Sequence, residues 1–133
     1  MIRTFLDSGV LLAAVRSVEK DQERALQLLE DPERHFLTSA FVQLELVPKA
    51  SFHKKRLEKS FYDEYFRAAE WCQDVTRNVA LAQKEAAQIG LSAMDALHLA
   101  AAHLLEADEF ITTERPGKPL YRSKLAKVLY LFE

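Results

Sequence analysis

The sequence is poor in residues that interrupt or cross-link a chain. A single cysteine, Cys72, excludes an internal disulfide framework and fits a reducing compartment. Three glycines and four prolines in 133 residues leave little material for long loops, so short connections and high helix content are expected. No apolar run is long enough to span a bilayer. The N-terminus carries no secretory pattern, because Met1 leads straight into a strand-like run and no long apolar region follows Arg3. A soluble, cytoplasmic protein is expected. Neither sign of charge is in large excess: the net charge of −2 gives no global pull toward nucleic acid, so contact with RNA or DNA must use local basic patches. What is abundant is apolar side chain. At 49% it argues against disorder, and the length suits one domain, residues 1–133, with a real core.

Ile2 to Leu6 is a short strand-like run that ends at Asp7, Ser8 and Gly9, before the apolar helical stretch Val10 to Val15. In open α/β sheets, ligand-handling groups lie just beyond the C-terminal ends of parallel strands, where Asp7 falls. Asp7 or Ser8 also serves as an N-cap for the helix that follows, and this corner alone does not separate the two roles. Asp21 to Leu29 has the stripe of a surface helix, ended by Asp31-Pro32. His35 to Thr38 is a second strand, and Ser39 caps a helix running to about Lys49. Phe52 to about Asp74 is a long amphipathic stretch. Thr76 is placed to cap a helix from Val79 to about Ile89, ended by Gly90. Glu109 to Thr112 and Lys127 to Phe132 are the last strands.

Three acids stand out against this pattern. Glu45 shares a helix side with Phe41 and Val42, although an i,i+4 pairing with Lys49 is available to it. Asp95 lies in the first turn of Met94 to Leu105, a helix apolar most of the way round, where a charge must be paired or bind a cation. Ser92 and Asp95 are also spaced like a capping box, which offers Asp95 a purely local role. His98 follows by one turn and reads more readily as a hydrogen-bonded core or rim histidine than as a ligand. Glu114 lies just past the third strand. Two basic segments stand apart from the acids: Lys54, Lys55, Arg56 and Lys59 at the head of the amphipathic stretch, and a loop region containing Arg115 and Lys118. Each reads either as solvated surface or as a contact for phosphates.

Strands alternating with helices imply a mostly parallel sheet covered by helices, an α/β class. In such a sheet Asp7 and Glu114 share a rim, and the helix carrying Glu45 starts there. If these acids converge with Asp95, a divalent oxygen-liking cation offsets their repulsion, and Mg²⁺ or Mn²⁺ prefers such ligands. No Cys/His cluster supports structural zinc. The chemistry in view is phosphodiester hydrolysis. A phospho-acceptor domain fits poorly, since Asp7 has no acidic neighbour.

The segments FLDSGVLLA, SAFVQLELVPKA, MDALHLAAA and ADEFITTE, in this order and spacing, resemble the PIN-domain nucleases, including VapC-like toxins of toxin–antitoxin pairs. The resemblance implies a PIN-like three-layer α/β/α sandwich and a Mg²⁺- or Mn²⁺-dependent ribonuclease activity. Asp7, Glu45 and Asp95 match the core metal-binding acids. Glu114 takes the place of a fourth acid that is usually Asp, and Ser8 and Thr112 match polar helpers beside the metal. Lys54, Lys55, Arg56, Lys59, Arg115 and Lys118 would then track the RNA backbone. A homodimer and a cognate antitoxin are further implications. The alternative is a weakened PIN-like module that binds RNA or a protein partner, since Glu114 is longer by a methylene and RPGKPL follows it.

Overall fold

A computed structural model describes all residues, 1–133. The elements are β1 (Ile2–Leu6), α1 (Ser8–Arg16), α2 (Glu19–Leu29), β2 (Arg34–Thr38), α3 (Ala40–Phe52), α4 (Arg56–Ala68), β3 (Glu70–Trp71), α5 (Val75–Ile89), α6 (Ala93–Leu104), β4 (Glu109–Thr112) and β5 (Val128–Tyr130), with one 3₁₀ turn at Pro119–Arg122. The strands form one sheet in the order β3-β2-β1-β4-β5, and every pairing is parallel. The expected α/β/α sandwich is what forms. Strand order moves one way from β1 to β3 and the other way from β4 to β5. Right-handed crossovers then place α1 and α2 on one face and α5 and α6 on the other.

Local chemistry accounts for most boundaries. Asp7 caps α1 by accepting the Ser8 N–H, Ser39 caps α3 by accepting that of Phe41, and Ser92 caps α6 by accepting that of Asp95. Asp74 caps α5, not Thr76: its carboxylate takes the Arg77 N–H, so the helix begins at Val75. Gly90 ends α5 in the left-handed conformation at φ 72°, where a Cβ is costly.

The stretch from Phe52 to Asp74 differs from the single amphipathic element expected. Phe52 completes α3, Lys54 turns the chain at φ 56°, α4 follows, and Glu70–Trp71 adds an edge strand. Two residues are too few for alternation to be read. Tertiary bonds hold β3 instead. The Arg3 guanidinium grips both Glu70 oxygens at 3.1 and 3.2 Å, His35 reaches Glu70 at 2.8 Å, and the Trp71 indole donates to the Phe66 carbonyl at 2.7 Å.

The core lies between sheet and helices, with Phe5, Leu6, Leu37, Phe110 and Ile111 from the strands against Val10, Leu11, Leu28 and Leu99 from the helices, all buried. Below it, at the N-terminal ends of the strands, Glu109 is buried but compensated: it accepts from the Thr4 hydroxyl at 2.7 Å and from the Arg34 guanidinium at 2.8 Å. Removing one partner from such a pair leaves the other without its bond. Glu109→Ala is therefore expected to lower unfolding free energy by about 2–3 kcal/mol. Urea denaturation measures the loss, and Glu109→Gln, which keeps an acceptor for Thr4, loses less.

Candidate active site

The two central strands end side by side. β1 pairs with β4 in a register that sets Leu6 against Ile111, and the Asp7 N–H donates to the Ile111 carbonyl at 3.0 Å. Asp7 therefore emerges next to Thr112. One Asp7 oxygen accepts the Ser8 N–H and the other accepts the Thr112 hydroxyl, both at 2.8 Å, with the residue 8% exposed. The capping and site roles left open by the sequence coexist here: Asp7 caps α1 and still faces the rim. Burial pushes its carboxyl up from the ordinary value, and nearby Asp95 adds to this, while His98 and the bonds from Thr112 and Ser8 pull it down.

Glu45 enters from the second turn of α3. Its partner is His98, not Lys49: Glu45 Oε1 and His98 Nε2 are 2.5 Å apart. The His98 bond chiefly holds the Glu45 carboxyl below its usual value, with the Ser8 hydroxyl and the Lys49 charge helping. His98 is 1% exposed, a bonded core histidine as its position on the apolar helix implied. Its Nε2 also lies 4.0 Å from Asp7 Oδ1, so Asp7, Glu45 and His98 each offer a ligand atom within 4.8 Å of the others.

Asp95 and Glu114 stand outside this tight group but face it. The Asp95 N–H donates to Ser92 Oγ at 3.3 Å, yet its carboxylate makes no return bond to the Ser92 backbone, so only half of the capping box forms. The carboxylate is left available, half-buried at the head of α6. Burial raises the Glu114 carboxyl, and Asp95 and Asp7 raise it further, against a lowering by Lys118. Asp7, Asp95 and Glu114 thus lie within electrostatic reach of one another, and Glu45 joins them through its approach to Asp7. Asp95 arrives there for a simple topological reason: a helix that leads into a parallel strand runs down from that strand's C-terminal side, so its first turn lies at the rim.

Three residues shape the Glu114 segment, and two of them carry no clear sequence signal. Thr112 Oγ1, besides donating to Asp7, accepts the Glu114 N–H at 3.1 Å. Tyr121 donates its hydroxyl to the Glu114 carbonyl at 2.6 Å. Gly9 leaves room for Thr113, whose hydroxyl would lie 2.3 Å from a Cβ at position 9. Only the shape of the folded rim reveals Tyr121 and Gly9.

The basic residues separate into two groups. Arg115 and Lys118 are exposed on the loop that leaves Glu114. Lys54, Lys55 and Arg56 are exposed at the α3–α4 turn, roughly 10 Å along α3 beyond Glu45 at 1.5 Å per residue. Lys59 is already paired with Asp63 at 2.7 Å, so this tip is less purely basic than the sequence alone implied.

Carboxylate oxygens predominate in this cluster, with one imidazole and no thiolate, a set that suits a hard divalent cation. The raised Asp7 carboxyl marks negative charge that nearby protein groups do not fully offset. A raised value means that protonation favours the fold: the cost of ionised Asp7 is present near pH 7 and fades as pH falls toward about 4. Asp7→Asn is therefore expected to melt higher than the parent at pH 7 in EDTA, with a gain that shrinks on acidification. Thermal melts across pH measure this, and an Asn variant less stable than the parent at pH 7 contradicts it.

A family profile described as the PIN domain matches residues 4–115. The fold resembles those of VapBC2 from Rickettsia felis bound to a fragment of promoter DNA (TM-score 0.73, 19% identity, covering 97% of this chain and 98% of that one) and VapBC-1 from nontypeable Haemophilus influenzae (0.70, 13%, 99% and 100%). It also resembles a toxin–antitoxin complex from Klebsiella pneumoniae (0.68, 18%, 92% and 94%). No curated protein sequence matches. Since the profile takes in most of the chain and reaches from the first strand past Glu114, this chain belongs to the PIN-domain family.

Proposed function

We propose that the protein is a Mg²⁺- or Mn²⁺-dependent endoribonuclease and the toxin of a toxin–antitoxin pair. The observation that carries this is the gathering of Asp7, Glu45, Asp95 and Glu114 on the rim beside β1 and β4, with Asp7 buried and its carboxyl raised. Asp7, Glu45 and Asp95 would hold the cation, and Glu114 would complete the site directly or through water. When bound, the cation supplies activation of water and stabilisation of charge on the phosphate. The chain's own part is placement. Thr112 and Ser8 hold both Asp7 oxygens. The open half of the capping box leaves the Asp95 carboxylate without a partner at the head of α6.

Arg115 and Lys118 beside Glu114, and Lys54, Lys55 and Arg56 at the hairpin tip, would contact the RNA backbone on either side of the acids. The structural likeness to toxin–antitoxin complexes supports a cognate antitoxin as partner. Leu44, Phe52 and Leu57, large and exposed on the same hairpin, offer apolar surface for an antitoxin or for a second copy in a homodimer. No helix is long and apolar enough to cross a membrane, and a cytoplasmic location fits the lone, buried Cys72.

Incubation with structured RNA tests the activity. Cleavage is expected with Mg²⁺ or Mn²⁺, to stop in EDTA, and to be abolished in Asp95→Asn while the circular dichroism spectrum and melting stay native. Full metal-dependent cleavage by a clean Asp95→Asn preparation refutes the assignment. A stable partner complex without Mn²⁺ binding or cleavage supports the binding module instead.

A further inference from the structure

His98 lies where α6 crosses the base of the rim, buried beside Phe5 with ring centroids 6.3 Å apart. Its two ring nitrogens have opposite surroundings. Nε2 sits 2.5 Å from Glu45 Oε1, whereas Nδ1 is buried and has no hydrogen-bond partner in the protein. Two roles are open to Nε2: it ligates the cation with its lone pair, or it carries a proton and donates to Glu45. The other nitrogen decides between them.

An imidazole that binds a metal through Nε2 carries its proton on Nδ1, and ligating histidines pass that N–H to a carboxylate, a carbonyl or water. No carboxylate or carbonyl of the protein meets Nδ1. A buried N–H without an acceptor is rare and costly, and an acceptor lone pair left bare is tolerated better. With the proton on Nε2, the short bond to Glu45 is made and Nδ1 keeps only its lone pair. The 4.0 Å approach to Asp7 Oδ1 is too long for a bond, and that oxygen already accepts the Ser8 N–H.

We infer that His98 is a positioning residue: its Nε2–H clamps one oxygen of Glu45, aims the other into the acid cluster, and stays out of the metal's ligand shell. This rests on the proposal that Glu45 holds the cation. His98 follows Asp95 by one turn of α6, so a single helix brings one ligand of its own and fixes a second from α3. The ring is immobile in the core, whereas Glu45 is half-buried on a helix side; the clamp replaces side-chain freedom with a fixed carboxylate before the cation arrives.

The tests use the whole chain and need no cleavage readout. Nitrogen-15 NMR of the metal-free protein is expected to show His98 protonated at Nε2; a proton on Nδ1 overturns the inference. Pulsed EPR of the Mn²⁺-loaded protein is expected to show no coupling from a directly coordinated nitrogen. His98→Leu, which fills the space without donating, is expected to weaken Mn²⁺ binding by roughly 10- to 100-fold. His98→Gln, whose amide reaches the former Nε2 position, is expected to restore most of that loss. Unchanged Mn²⁺ affinity in the Leu variant, or a nitrogen coupling that both substitutions abolish, overturns the clamp while leaving the metal site standing. Failure of the parent protein to bind Mn²⁺ removes the metal site and the clamp together.

Discussion

The Thr112 hydroxyl donates to Asp7 across the central strand pair, and the geometry of the rim follows from that contact. It pins the carboxylate that ends β1 to the residue that ends β4. The same oxygen of Thr112 then accepts the Glu114 N–H, so one short side chain ties two acidic segments together. The parallel register makes this possible: β1 and β4 end level, and the change of strand direction leaves a crevice between their outgoing chains. α3 and α6 lean over that crevice from different crossovers, which is why acids far apart in sequence meet there.

The two ends of the sheet treat charge in opposite ways. At the N-terminal ends, acids are matched: Glu70 by Arg3 and His35, Glu109 by Arg34 and Thr4. At the C-terminal ends, Asp7 and Glu114 have raised carboxyls and no guanidinium partner, and Asp95 adds to their repulsion. Acids that only stabilise a fold are expected to look like the first set. The second set keeps negative charge in one place at a cost to stability, and the proposed cation site rests on that contrast.

The sheet and most helices were legible because their signals are local. Alternating and continuous apolar runs marked β1, β2 and β4, while Ser39, Ser92 and Gly90 marked helix ends. Asp7 and Glu114 were legible from the rule about strand ends. What escaped depended on distant partners. β3 is two residues long and exists through Arg3, His35 and β2. The choice of His98 over Lys49 by Glu45 is invisible in a sequence where Lys49 stands at the better-known spacing. Asp95 is spaced like part of a capping box, and only the folded chain shows that its carboxylate makes no return bond.

The sheet's borders have a consequence for how the molecule meets others. β3 and β5, the two edges, are two and three residues long. Edges this short give an incoming strand almost no ladder to extend, so pairing by strand addition has little to grip. Helical surface is left as the larger apolar area open to contact. The α3–α4 hairpin, carrying Leu44, Phe52 and Leu57 in the open, is the part of that surface with most apolar area to lose.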